Sequence, residues 1–481
     1  MITSAIFAWA ESQPDKAALE HNGEVWSYAA FAEAIARSRS HFRGLRLEGE
    51  GVVVVAVEQL RDWWVASLAL RSLGLTTIAV REAVEVADLG LPDLRAVVGA
   101  PSSWNVAEVC RRVGVPALEA GTGDAPALPL EAGVQPGGHI LRTSGTTGAF
   151  KMVLMDPAFE PAYFRRRLRS NGIRRESVVS VLDFGPWTGV GYKSPVGTWS
   201  AGGTVVFSQA RPIRQAFQRS DLTHATLVPS LLAELLAEPA GAFPRSQTMQ
   251  LGVTGGTMTQ SQIDEVKARI TPVLVNGLGA TESHPIAVTR IETPDDHRWH
   301  TPCEGVIEIV DDAGRPVPTG QIGRLRIDTA DGPKGYLNDP GATRAFFKDG
   351  FFYPGDLAVM REDGRFALMG RVTDVINVKG HKITPAPIED RLREALGVSG
   401  VCLLSMQDTA GEEGLHAVIE TQQPLDTAAL APVLQREIGG FAGVRVHFVS
   451  ALPRNEAGKV LRQAVAADLA RWQLAPQATV Q

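Results

Sequence analysis

The stretch LRTSGTTGAFKM, residues 141–152, concentrates groups able to hold an anion. Thr143, Ser144, Thr146 and Thr147 offer hydroxyls, Gly145 and Gly148 offer bare backbone, and Lys151 adds a full positive charge. Consecutive backbone N–H groups in a glycine-rich turn form a concave anion site. Glycine suits it because it tolerates positive φ and lets the backbone come close to a ligand. The chemistry this points to is a polyphosphate cradle. It is not the P-loop pattern, in which lysine follows the second glycine directly; here Ala149 and Phe150 intervene.

Three further segments carry matching chemistry. LVNGLGATESHP (274–285) sets a glycine turn just before Thr281 and Glu282. A hydroxyl beside a carboxylate is hard-oxygen chemistry suited to Mg2+ on phosphates. FFYPGD (351–356) places Asp356 at a tight turn, where a carboxylate can accept ribose hydroxyls, and Gly370-Arg371 follows fifteen residues on. PRNEAGKVLR (453–462) presents Lys459 after another glycine turn.

In this order and at these separations, TSGTTGAFK, GLGATES, YPGD, GRVTDVINVKGHKITPAPIED and NEAGK resemble the adenylate-forming superfamily of acyl-CoA synthetases, stand-alone adenylation enzymes and firefly-type luciferases. The resemblance runs over nearly the whole chain. It implies an α/β fold: a large N-terminal domain (1–372) of two α/β subdomains plus a small β-barrel, then a small mobile α+β domain (374–481) carrying a catalytic lysine. It implies ATP-dependent activation of a carboxylic acid to an acyl-adenylate, with ATP and Mg2+ required. The acyl group would pass to coenzyme A or a carrier-protein phosphopantetheine. Transfer to a non-thiol nucleophile such as an amine is the alternative, and a nucleotide-binding protein without catalysis is a third.

The resemblance also implies roles for single residues. The 143–151 loop would hold the β- and γ-phosphates, Thr281 the α-phosphate and Glu282 the metal. Gly255 and Gly256 would lie along adenine beside Leu278 and Gly279, and Asp356 with Arg371 would grip the ribose. Lys459 would bridge the substrate carboxylate and the α-phosphate, a task suited to a compact cation on a long stem. Thr373 stands at the family's hinge position, where Asp or Lys is frequent, and Lys379 and Gly380 would face the thiol channel. An acid pocket is expected from Trp187, Gly189, Pro229, Thr254 and His284. Leu278 replaces the aromatic of amino-acid activators, and Gly189 falls near their amine-anchoring aspartate. The expected substrate is therefore a small aromatic or short hydrophobic carboxylic acid.

The elements that must position these residues are legible as patterns. WSYAAFAEAIARSRSHF (26–42) has helical spacing, GVVVVAV (51–57) is a buried-strand run, WWVASLALRSLG (63–74) reads as a helix and TTIAV (76–80) as a strand. Strands alternating with helices predict a wound α/β sheet. Residues 116–137 read as a loop. SVVSVLDF (177–184), GGTVVF (202–207), HATLVPSLLAELLAE (224–238) and LGVTGG (251–256) continue the alternation, and short strands with DDAG and PTG turns follow from Pro302. PIEDRLREALGV opens on a proline fit for a first helical turn and reaches Gly397 at its end.

The 481 residues exceed one typical domain. Apolar residues make up 44%, and the formal charge is 47 − 53 = −6, a balance that does not point to nucleic acid or to an anionic membrane. Cys110, Cys303 and Cys402 are too dispersed for a disulfide framework, which suits a reducing cytoplasm. The N-terminus lacks a basic n-region, and no apolar run is long enough to span a bilayer.

Overall fold

The computed structural model describes the chain outside residues 1, 81, 92, 100–105, 122–125, 144–149, 183, 209–212, 257, 379–380, 408–412, 423–424, 426, 439–443, 455–459, 473–477 and 481. The chain packs as two compact units. The first holds Met1–His297, Pro302–Ile307 and Ile327–Phe352; the second holds Arg298–Thr301, Glu308–Arg326 and Tyr353–Gln481.

The first unit contains two α/β sheets. One has six strands in the order Ala117–Glu119, Leu94–Gly99, Val52–Ala56, Thr76–Ala79, His139–Thr143 and Lys151–Met155. The first five run parallel and the last returns antiparallel. The Val52–Ala56 strand is buried through Val53, Val54, Val55 and Ala56, as expected for a parallel strand covered on both faces. The short strand Ala117–Glu119 corrects the reading of 116–137 as wholly loop; three residues paired at a sheet edge leave too little alternation to show in sequence.

The other sheet has eight strands. Ala17–His21, Thr204–Phe207, Val178–Val181, His224–Leu227, Gln250–Thr254 and Leu274–Gly279 run parallel, with antiparallel Glu24–Ser27 and Pro285–Arg290 at the two edges. Helices Tyr28–Gly44, Leu60–Ser72 and Gly189–Ser200 contribute to a shared apolar core. Within it Trp63 and Trp64 meet edge to face at 4.9 Å, and Trp64 meets Trp199 the same way at 5.0 Å. A charge is buried beside them. Arg71, 0% exposed, reaches Glu160 at 2.8 Å, and the Tyr192 hydroxyl donates to the same carboxylate oxygen at 2.8 Å. Arg71 also donates to the Gly137 carbonyl at 2.9 Å and to the Tyr192 hydroxyl at 2.6 Å, while Glu160 Oε2 has no hydrogen-bond partner among the described residues.

In the second unit Asp356–Met360 pairs antiparallel with Phe366–Arg371 and with residues Ile322 to Arg324. A four-stranded sheet follows: Gly400–Gln407, Glu413–Glu420, Val444–Val449 and Ala478–Val480. Helices Pro385–Leu396, Thr427–Ile438 and Arg462–Trp472 accompany it. The first of these ends on Gly397 at φ 63°, a left-handed C-cap that glycine adopts without strain. Thr373 lies in the turn Val372–Asp374, inside this unit.

Candidate active site

In an open parallel sheet, loops leaving the carboxyl ends of the strands gather along one edge, where ligands bind. Four strands of the eight-stranded sheet send the expected residues there. Val178–Val181 leads to Trp187 and Gly189, His224–Leu227 to Pro229, Gln250–Thr254 to Gly255 and Gly256, and Leu274–Gly279 to Thr281 and Glu282.

The turn at 280–284 joins Leu274–Gly279 to antiparallel Pro285–Arg290, and the pairing register slips between Leu278 and Gly279. That irregularity re-aims the chain where Thr281 and Glu282 begin. Glu282 is 8% exposed, and its Oε1 accepts the Tyr336 hydroxyl at 2.8 Å. Burial, then the Glu282 charge, push the Tyr336 phenol above its ordinary pKa, so it stays protonated and donates. Glu282 Oε2 has no hydrogen-bond partner among the described residues.

Helix Gly189–Ser200 packs against this turn. Thr188 caps it, its hydroxyl accepting from the Gly191 N–H at 2.9 Å. A Cβ on Gly189 would stand 3.4 Å from Thr281 Oγ1, so the bare backbone meets the threonine closely. One turn on, buried Lys193 donates to the carbonyls of Thr281 (3.0 Å), Ala280 (3.3 Å) and Ser283 (3.3 Å). Burial pushes its pKa down to about 7, with Arg167 repelling and Glu282 opposing the fall. His284 is buried and stacked on Tyr163 at 4.6 Å, with both ring nitrogens unpartnered. Burial, then Arg166 and Lys193, push its pKa down to about 4, so the ring is neutral.

The other expected pocket residues sit nearby in the fold. Gly256 lies on Pro229, whose Cγ would be 2.8 Å from an added Cβ; Gly255 has φ 84°. Thr254 and Gly277 are register partners, Leu278 is half-buried and Gly279 is exposed. The Trp187 ring covers Gly185 so tightly that a Cβ there would fall 2.2 Å from it.

Thr143 and Lys151 are direct partners across the hairpin that brackets the glycine-rich loop. The Lys151 ammonium lies 4.0 Å over the Phe346 ring and 5.1 Å over Tyr336. Ser144, Gly145, Thr146, Thr147 and Gly148 lie outside the described residues, as do Lys379, Gly380 and Lys459. In the second unit Asp356 and Arg371 are also register partners, with Arg371 Nε 2.9 Å from Asp356 Oδ1. Arg371 donates as well to the Pro354 carbonyl, which fixes the pair at the YPGD turn. Thr373 is exposed, its hydroxyl 3.3 Å from Asp374 Oδ1.

Residues 139–337, from the first hairpin strand to the neighbour of Tyr336, match the family model of the AMP-binding enzyme. Over this stretch the chain resembles the adenylate-forming superfamily. A long-chain-fatty-acid–CoA ligase of Salmonella typhimurium is 29% identical over 225 residues, covering 45% of this chain but only 40% of that relative's length. A sulfoacetate–CoA ligase of Cupriavidus necator is 28% identical over 403 residues, 80% of this chain and 75% of the relative. Among solved structures, ATP-bound MatB from Rhodopseudomonas palustris superposes with a TM-score of 0.81 at 21% identity, covering 98% of this chain and 99% of that one; this likeness establishes the fold.

Two residues of the candidate site escaped the motifs. Tyr336 reaches Glu282 across 54 residues of sequence, and nothing in PKGYLNDP signals that partner. Lys193 left a fainter trace, as the one charge in GVGYKSPVGTWS.

Proposed function

We propose that the protein activates a carboxylic acid with ATP, releases pyrophosphate, and passes the acyl group of the adenylate to a thiol. The observation that carries this reading is the meeting, at the carboxyl edge of the eight-stranded sheet, of the Thr281–Glu282 turn with the bare backbone of Gly189. The Thr281 hydroxyl there stands against backbone that carries no side chain.

The chemistry asks for positioning and charge stabilisation more than for covalent catalysis. A carboxylate oxygen attacks the α-phosphorus, the bond to the bridging oxygen breaks, and pyrophosphate departs with that electron pair. Thr281 would donate its hydroxyl to the α-phosphate, and Lys151 would offset charge on the β- and γ-phosphates. Asp356, oriented by Arg371, would accept the ribose hydroxyls. Gly255 and Gly256 would let the adenine lie against backbone. The donor set fits Mg2+, which is held by one or two carboxylates together with substrate phosphates. Glu282 supplies such a carboxylate, with one oxygen fixed by Tyr336. When bound, the ion neutralises phosphate charge. The Trp187, Gly189, Pro229 and Thr254 surfaces favour a small aromatic or short hydrophobic acid.

Lys459 would enter from the second unit for adenylation and withdraw for thiol transfer, with Thr373 as the hinge and Lys379 and Gly380 beside the thiol. Coenzyme A and a carrier-protein phosphopantetheine are the two thiols considered. ATP–pyrophosphate exchange over aromatic, fatty and short polar acids tests the first half-reaction. Exchange with none of them, while ATP binds, would refute it. Mass spectrometry of products formed with coenzyme A, a carrier protein or an amine identifies the acceptor, and an amide product alone would refute the thiol step.

A further inference from the structure

Lys193 is the single charge on helix Gly189–Ser200 and is 3% exposed. A buried ammonium without compensation costs several kcal/mol. None of the described carboxylates lies within ion-pair distance of it. Its compensation is instead three backbone oxygens, those of Ala280, Thr281 and Ser283, at 3.0–3.3 Å. In its protonated form Lys193 has three donor protons, and all three are used on one short turn.

That turn is 280–284, which carries Thr281 and Glu282. Two further contacts converge on it from the same side. The Tyr163 hydroxyl donates to the Ser283 carbonyl at 2.8 Å, while the Tyr163 ring lies 5.0 Å beneath the Lys193 ammonium. Gly189, one helical turn before Lys193 and on the same face, abuts Thr281. An apolar residue at 193 would bury as well, so packing alone does not call for a lysine. What a lysine adds is a fixed point to which three successive stretches of turn backbone are tied.

We propose that Lys193 is a positioning residue: by holding the carbonyls of Ala280, Thr281 and Ser283 it sets the direction of the Thr281 hydroxyl and the Glu282 carboxylate. This rests on the roles given to Thr281 and Glu282 under the proposed function. Arginine cannot reproduce the arrangement, because its donors lie in a plane and diverge. Methionine matches the stem and donates nothing.

The test uses full-length wild type, Lys193→Met and Lys193→Arg, with Mg2+ titrated at fixed concentration of a fluorescent ATP analogue. Pyrophosphate exchange is then measured with any acid that supports it. Residues that orient metal ligands from behind typically contribute about 10–100-fold to metal affinity or activity. Lys193→Met is expected to raise the Mg2+ half-saturation by that factor and to lower the exchange rate, leaving the KM for the acid unchanged; Lys193→Arg should recover part of the loss. A folded Lys193→Met with wild-type Mg2+ half-saturation would overturn the proposal, as would loss of acid affinity alone. If Lys193→Met does not fold, Tyr163→Phe, which removes only the Ser283 contact, is read the same way: a smaller rise supports the proposal and no rise overturns it. If wild type binds Mg2+ and nucleotide but exchanges with no acid, the acid-activation reading fails, while the Mg2+ titration still decides the role of Lys193. If wild-type nucleotide binding ignores Mg2+, the proposal falls with the role of Glu282.

Discussion

Replacing Tyr336 by phenylalanine removes one oxygen and little else. The ring stays edge-on to Phe347 at 5.3 Å and to Phe346 at 6.2 Å, so the packing of the site survives. What disappears is a 2.8 Å hydrogen bond to a carboxylate, with both residues only 8% exposed. A hydrogen bond to a charged group contributes about 1.5–3 kcal/mol. At about 1.36 kcal/mol per decade this is a factor of about 10–150. The site fits Mg2+ through Glu282, so the loss is expected in the Mg2+ half-saturation of pyrophosphate exchange, with the KM for the acid unchanged. The assay is exchange measured across a Mg2+ titration, alongside a denaturation curve that certifies the fold. A Tyr336→Phe protein with normal Mg2+ dependence, whatever its stability, would refute the view that Tyr336 orients the metal-binding carboxylate.

Arg71→Met strands the Glu160 carboxylate in the core with only the Tyr192 hydroxyl for company, and breaking such a buried pair costs about 3–5 kcal/mol. The denaturant midpoint reads this directly, and an unchanged midpoint contradicts it. His139 is fully buried, and burial pushes its pKa down to about 3, far below an unfolded histidine. Protons then bind the unfolded chain first, so the stability His139 supplies is complete above the unfolded value and is lost as pH falls from about 6.5 toward 3, by at most about 1.4 kcal/mol per pH unit. Melting curves at pH 7 and pH 5 should therefore diverge less for His139→Gln than for wild type; equal divergence rejects the assignment. Lys459→Ala is expected to abolish adenylate formation yet leave transfer from a pre-made acyl-adenylate largely intact, which separate assays of the two half-reactions can distinguish from a uniform loss.

Local features were legible in the sequence, and distant partnerships were not. The strand at 52–56, the helix ending at Gly397 and the turn carrying Thr281 and Glu282 each announce themselves through runs, periodicity or glycine within a dozen residues. The α/β class follows from their alternation, and the resemblance to adenylate-forming enzymes from the order of the glycine-rich segments. The long-range contacts link Lys193 to 280–283 and Tyr336 to Glu282 at the site, and Arg71 to Glu160 in the core. Each joins groups brought together by the fold, and neither partner has a composition that names the other. His284 was expected to line the acid pocket; that its ring stacks on Tyr163 depends on a helix more than a hundred residues earlier.

The manner in which Lys151 is restrained has a bearing on how an anion arrives. Two aromatic faces hold its ammonium, and no acidic group among the described residues neutralises it. A lysine locked to an aspartate would have to trade one anion for another, and its outward field would be largely cancelled beforehand. Ring faces attract a cation without cancelling its charge, and their grip is modest, about 0.5–2 kcal/mol. A polyphosphate bound as proposed would therefore meet a lysine held by ring faces, and could draw the side chain away without displacing an ion-pair partner.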